Sequence, residues 1–148
     1  MTTHGSRIEE HPDLMELRAR YERAATTPQA RAVEGLTLLA GLYLAVSPWV
    51  LGFFDTGTGL TINNLITGLA VAILALGFGS AYERTHGLGW VVAAIGVWTI
   101  ITPWVVYGPS ATTTGTMISN VVTGAVIFVL GLATSAFGMR GDARAQQR

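Results

Sequence analysis

The stretch Gly41-Leu-Tyr-Leu-Ala-Val-Ser-Pro-Trp-Val50 decides the fold, because it recurs as Gly96-Val-Trp-Thr-Ile-Ile-Thr-Pro-Trp-Val105. The two copies lie 55 residues apart, and each carries a Ser/Thr-Pro-Trp step near its end. A second matching pair, Asn64-Leu-Ile-Thr-Gly68 and Asn120-Val-Val-Thr-Gly124, follows at an offset of 56 residues. The chain is therefore a tandem duplication, and we expect each half to form one structural unit.

The distribution of charge indicates the class of protein. Half of the 148 residues are hydrophobic and 12% are charged, whereas soluble domains are about one quarter charged. Between Gly35 and Met139 the charged residues are Asp55, Glu83 and Arg84, which leave uncharged runs of 20, 27 and, from position 87, 53 residues. A membrane-spanning helix needs roughly 20 apolar residues, so these runs predict one, one and two spans.

The predicted fold is an all-α membrane protein with four transmembrane helices, arranged as two tandem hairpins related as parallel repeats, and a short cytoplasmic N-terminal helix. The runs are continuously apolar and lack the in-out alternation of barrel strands. The expected spans are Glu34–Phe54, Leu60–Tyr82, Leu88–Tyr107 and Thr116–Gly138. The chain then divides into an N-terminal segment (1–33), a first hairpin (34–86), a second hairpin (87–139) and a C-terminal tail (140–148).

Orientation follows from the basic residues. All nine are Arg, and they occur in the two tails and in the loop between the hairpins. The other two loops contain none. By the positive-inside rule, both termini and the middle loop are expected on the cytoplasmic side of a bacterial inner membrane.

The two motif steps, Ser47-Pro48-Trp49 and Thr102-Pro103-Trp104, have a structural interpretation. Each proline lacks a backbone donor and clashes with the preceding turn, so it should kink the first helix of its hairpin. The hydroxyl before it can bond the backbone groups that the kink frees. The indole after it fits the boundary between hydrocarbon and headgroups. Alternatively, the two indoles form a paired platform for a lipid or a partner.

A second set of repeated residues suits helix packing. The asparagines are expected either to cap the second helix of each hairpin or to hydrogen-bond across to the kinked turn, and the threonines to bond within their own helix. The glycines allow close backbone approach, with a ligand site as the alternative. The packing residues are Gly41, Asn64, Thr67 and Gly68 in the first copy and Gly96, Asn120, Thr123 and Gly124 in the second.

The N-terminal segment contains a candidate docking helix. Leu14, Leu17 and Tyr21 recur at i, i+3 and i+7 and so share one helical face, while Thr27-Pro28 predicts the start of the next helix. Five Arg stand against six acidic residues up to Glu34, so the segment lacks the basic excess that binds anionic lipid by charge alone. Docking on another protein and packing against the chain's own inner loop remain as alternatives.

Few residues here suit chemistry. The interiors of the expected spans contain no ionisable residue, although such residues usually mark catalysis or ion movement in a membrane. There is no cysteine, and the three His are widely separated, so neither a metal site nor another cofactor is expected. Zero net charge without Lys argues against nucleic-acid binding. We therefore expect a non-enzymatic protein without catalytic residues.

The doubled Ser/Thr-Pro-Trp motif in paired helices resembles the SPW repeat family of small bacterial membrane proteins, which are frequent in actinobacteria. The resemblance covers Glu34 to Gly138, and the second copy departs from the pattern by having Thr102 in place of Ser. The family has no generally established activity, so the resemblance supplies no further site residues.

Two functional hypotheses follow. The first is an accessory subunit that contacts membrane lipids and packs its small-residue faces and tail helix against a larger membrane complex. The family context implies an actinobacterial lipid importer of the MCE type as that complex. The second hypothesis is an independent small carrier or channel that acts as a homo-oligomer. The first is favoured because the spans lack a polar group at the midplane that would bind a solute.

Overall fold

The computed structural model describes residues 12–26, 28–80, 86–107 and 113–147, and these residues are almost entirely helical. The helices are α1 (Pro12–Thr26), α2 (Pro28–Val50), α3 (Thr58–Ser80), α4 (Gly89–Tyr107) and α5 (Thr114–Gln146), with a short 3₁₀ turn at His86–Leu88 before α4. No strand occurs in the described ranges. The all-α prediction is confirmed.

Four of these helices, α2 to α5, are long and apolar enough to cross a membrane. The prediction of a four-helix, multi-pass membrane protein is therefore confirmed. Helix α2 begins at Pro28, as the Thr27-Pro28 pair predicted, although Thr27 itself lies outside the described residues. It runs straight from Pro28 into the first span, because proline suits the first turn of a helix, where its missing N–H has no partner to lose.

Several helix ends differ from the predicted limits. Helix α2 stops at Val50 rather than Phe54, because the chain turns through Gly52, whose φ of 73° is a conformation that favours glycine. Helix α3 spans Thr58–Ser80 rather than Leu60–Tyr82; Tyr82 lies outside the described residues. The largest difference is at α5, which continues to Gln146 instead of ending at Gly138, so most of the predicted C-terminal tail is helical.

The four spans form a bundle of two hairpins. Helix α2 packs along α3 and α4 along α5, while α2 also contacts α5 and α3 contacts α4. The sequence did not settle whether the hairpins pack on each other; the structure shows that they do. A shared apolar core joins them, formed by Leu44, Val71, Phe78, Val92 and Ile127.

Glycine contacts hold each hairpin together. A Cβ atom built on Gly68 would lie 2.5 Å from the carbonyl oxygen of Gly41, and one built on Gly124 would lie 2.7 Å from that of Gly96. Real Cβ atoms do not approach backbone so closely, so these positions require glycine. Backbone contact of this kind is how helices associate in lipid, where burial of apolar surface gives no driving force. These two contacts, Gly41 with Gly68 and Gly96 with Gly124, occupy equivalent positions in the repeat, and we call them the glycine seams.

Candidate functional site

The site is built first from the carbonyl groups that the two prolines leave free. Pro48 and Pro103 have no N–H, so the carbonyls four residues earlier, of Leu44 and Thr99, lose their helical donors. The hydroxyl of Ser47 donates to the Leu44 carbonyl oxygen at 2.8 Å, and the hydroxyl of Thr102 donates to that of Thr99 at 2.9 Å. The residue before each proline thus replaces the missing backbone donor.

An asparagine from the second helix of each hairpin reaches these hydroxyls. The Nδ2 of Asn64 donates to Ser47 Oγ at 3.2 Å, and the Nδ2 of Asn120 donates to Thr102 Oγ1 at 3.4 Å. Of the two roles considered for the asparagines, the structure therefore shows the bond to the proline turn. A capping role is wrong, because α3 and α5 begin six residues earlier, at Thr58 and Thr114.

The two asparagines then join the hairpins to each other. Asn64 Nδ2 donates to Asn120 Oδ1 at 3.0 Å, and Asn120 Nδ2 donates back to Asn64 Oδ1 at 3.3 Å. Both side chains are fully buried, as are Ser47 and Thr102. We call these four residues the polar cluster. Each amide nitrogen has two acceptors, one across the hairpin interface and one in its own hairpin, so the donors of the pair are fully used.

Two further hydrogen bonds cross the same interface near the lipid-facing surface. Tyr43 and Ser119 join their hydroxyls at 2.9 Å, and Trp98 Nε1 donates to Asn63 Oδ1 at 2.9 Å. Tyr43 corresponds to Trp98 in the repeat, and Asn63 corresponds to Ser119. The first helix of each hairpin therefore bonds the second helix of the other. These reciprocal bonds and the asparagine pair follow one approximate two-fold axis.

The depth of the polar cluster follows from its place in the helices. Asn64 and Asn120 are each the seventh residue of their helix, which places them about 9 Å from its first residue at 1.5 Å per residue. Helix α3 has 23 residues and is about 34 Å long on the same rise. The polar cluster therefore lies about a quarter of the way along the bundle from its Pro-Trp end, roughly midway between that end and the middle.

The other repeated residues lie around this cluster. Trp49 and Trp104 are 51% and 46% exposed and face outward on separate helices. The hydroxyl of Thr67 donates to the carbonyl oxygen of Asn63 at 2.6 Å, within its own helix, and Thr123 is buried. Buried threonines elsewhere, such as Thr134, likewise donate to their own helix.

Sequence reasoning missed Tyr43, Asn63, Trp98 and Ser119. They occupy equivalent positions in the two copies but differ in residue type, so a search for identical residues passes over them. The signal that was available is polarity: each pair puts an aromatic side chain with a donor group on the first helix and a small polar side chain on the second.

The candidate docking residues lie on α1. Leu14 and Leu17 are exposed, and the side chain of Tyr21 is outside the described part of the structure. Among the residues that the structure describes, no three His, Cys, Asp or Glu come together as metal ligands would. The site that the fold assembles is therefore the polar cluster.

These features define a class: a four-helix membrane bundle made of two duplicated hairpins and joined by a buried asparagine pair. The SPW repeat domain matches residues 31–134. This chain belongs to the SPW repeat domain family. Searches of curated proteins and of solved structures gave no significant match.

Proposed function

We propose that this protein is a non-catalytic accessory subunit of a larger complex in the bacterial inner membrane, oriented with both termini in the cytoplasm. The observation that carries the proposal is the closure of the bundle along its two-fold axis. The polar cluster joins the two hairpins, and apolar core residues such as Leu44, Val71 and Ile127 are fully buried inside the bundle. Such an interior is suited to holding a rigid shape.

The alternative function, a small carrier or channel, would need a route for solute. A route along the axis would require the asparagine pair to separate, and each separated amide would lose its bonds to the other amide while keeping the bond to the hydroxyl in its own hairpin. Interhelical bonds of this kind average about 0.6 kcal/mol and reach about 1.7 kcal/mol. A homo-oligomer with a route between protomers does not face this cost, so it remains the second candidate.

The contacts inside the bundle favour a different surface for the proposed partner from the one expected from the sequence. The small-residue faces proposed for partner contact are already used inside the chain: Gly41, Gly68, Gly96 and Gly124 all face a helix of their own hairpin. The outward face of α3 is instead bulky and aliphatic, with Ile62, Ile66, Leu69, Ile73 and Leu76 exposed. We therefore place the partner contact on such bulky surfaces.

The host complex is a separate part of the proposal. An MCE-type lipid importer is the specific candidate, and it rests on the family context given above rather than on any residue of this chain. Contact with membrane lipids accompanies either function, because the outward faces of the four spans are apolar.

The test is purification of the tagged full chain from its native membrane in mild detergent, after crosslinking in the intact membrane, with mass spectrometry of its companions. We expect a stoichiometric larger partner. The paired variants Ile66→Ala/Ile73→Ala and Val122→Ala/Val129→Ala alter repeat-equivalent outward faces without touching the polar cluster, and one of them should reduce recovery of that partner. Recovery of the 15.7 kDa chain alone, or as a homo-oligomer, would reject the accessory role and favour transport by the chain itself.

A further inference from the structure

We propose that α1 is an interfacial lipid-binding helix, whose apolar face lies in the headgroup–acyl boundary of the membrane that α2 crosses. The proposal concerns the N-terminal segment alone and does not depend on the accessory role. It identifies a lipid surface, rather than a protein, as the partner of this helix.

The first observation is an apolar face that the described residues of the chain leave uncovered. Leu14 and Leu17 are three residues apart, so they project from the same side of α1, and they are 42% and 47% exposed. Two large apolar side chains on one side of a helix are expected to leave water for an apolar surface that is within reach.

The second observation is the position of α1 beside the membrane. A single residue, Thr27, separates the end of α1 from Pro28, the first residue of a membrane-spanning helix. The first uncharged run begins at Gly35, about 10 Å along α2 from Pro28 at 1.5 Å per residue. The headgroup layer is roughly 5–8 Å deep on each side of the bilayer. The end of α1 therefore lies at the outer edge of the headgroups. Leu14 is 12 residues from Thr26, about 18 Å along the helix, so a slope of α1 toward the membrane brings its apolar face to the headgroup–acyl boundary.

The third observation is the charge of the polar side. The guanidinium of Arg20 pairs with the carboxylate of Glu16 at 2.7 Å, and both side chains are more than 60% exposed. This pair is a polar surface suited to water, and it has no net charge to attract anionic lipid. Membrane binding by α1 is therefore expected to come from its apolar face and to be insensitive to salt. A lipid surface is favoured over a protein because the short tether keeps α1 at a high effective concentration beside it.

The test uses the full chain, which contains no cysteine, in vesicles of neutral phosphatidylcholine. Single nitroxide labels are placed through Leu14→Cys or Leu17→Cys, and through Glu16→Cys as the matched neighbour. Ile66→Cys, on the outward face of α3, calibrates lipid contact, and Gln146→Cys, at the end of α5, calibrates water. The measurement is collision of each label with oxygen, which concentrates in lipid, and with a water-soluble nickel chelate.

The labels at positions 14 and 17 should collide several-fold more with oxygen than with the chelate, at a depth of roughly 5–10 Å. The label at position 16 should show the reverse preference. This pattern should persist in about 1 M salt, where the Debye length is about 3 Å. Equal chelate access at positions 14, 16 and 17 would show α1 in water and overturn the proposal. Protection of positions 14 and 17 from both reagents would overturn it too, because it would show protein covering the face.

Discussion

Replacing Asn64 with Leu tests whether the polar cluster stabilises the pairing of the hairpins. Leu has the same branched skeleton as Asn, with two methyl groups in place of the amide oxygen and nitrogen, so the change removes hydrogen bonds without opening a cavity. The variant loses both bonds to Asn120, the bond to Ser47 and the bond that Asn64 Oδ1 accepts from Asn63 Nδ2. The hydroxyl of Ser47 still donates to Leu44. The principal damage is therefore to Asn120, which keeps its bond to Thr102 but loses its partner across the interface.

The expected cost can be worked from these contacts. The two bonds across the hairpin interface, at about 0.6–1.7 kcal/mol each, give a loss of about 1–3 kcal/mol in the free energy of unfolding, to which loss of the bond to Ser47 adds about 0.6–1.7 kcal/mol. The general cost of leaving a buried amide without its hydrogen-bond partner is of the same size, about 1–3 kcal/mol. In the double variant Asn64→Leu/Asn120→Leu neither amide of the pair remains, so its loss should exceed that of one single variant only by the second bond to a motif hydroxyl. The two positions should therefore show a coupling energy of about 1–3 kcal/mol, since paired residues are not additive.

The assay is reversible unfolding of the full chain in mixed detergent micelles by increasing the fraction of SDS, followed by helical circular dichroism. The four proteins of the cycle are the parent, the two single variants and the double variant. Thr67→Val is the matched control, because that hydroxyl bonds only within its own helix at the distances observed, and it should leave stability nearly unchanged. Additive losses in the double variant, or single variants as stable as the parent, would refute the role assigned to the asparagine pair.

Three further predictions use the same assay. Gly68→Ala should destabilise the protein by about 1–3 kcal/mol, because its Cβ meets the backbone of α2. Gly35→Ala, in open space on the same hairpin, should be neutral or stabilise by up to about 1 kcal/mol. Equal effects of the two substitutions would contradict the role of the Gly41–Gly68 contact. Ser47→Ala should lower the free energy of unfolding less in a Pro48→Ala background than in the parent, because the restored N–H of residue 48 bonds the Leu44 carbonyl. An equal loss in both backgrounds would mean that the Ser47 hydroxyl does not replace that donor. Tyr43→Phe and Trp98→Phe should each lose about 0.6 kcal/mol, and a large loss from only one would show that the two lateral bonds are not equivalent.

The sequence predicts the spans well because their signal is local. Uncharged length marks a membrane helix regardless of what packs beside it, and the duplication predicts that the two halves share a form. The end of α5 is harder, since Arg140 to Gln146 leave the apolar run yet continue as helix. Charge marks where a helix leaves the membrane, but it does not mark where a helix ends.

The polar cluster was predictable only within each hairpin. The bond between Asn64 and the turn at Ser47 follows from the order of the motifs along the chain, because a hairpin brings the end of one helix beside the start of the next. The bond between Asn64 and Asn120 depends on how the two hairpins face each other, and the periodicity of the sequence does not predict their relative orientation. The repeat does supply a clue, because a two-fold arrangement of duplicated halves places equivalent residues near its axis.

Two kinds of contact hold the bundle together, and each has a consequence for experiments that locate a partner's binding surface by mutation. Glycine seams such as Gly41 to Gly68 fix the two helices of one hairpin, while the asparagine pair fixes one hairpin against the other. In lipid, many apolar helix faces could pack equally well, and a buried polar pair discriminates among them because any other register leaves its amides unpaired. A substitution at Gly68 or Asn64 that abolishes partner binding would therefore report a damaged bundle rather than a lost contact. Outward residues such as Ile66 and Ile73 belong to neither the glycine contacts nor the polar cluster. Loss of partner binding on substitution of these residues would therefore locate the binding surface.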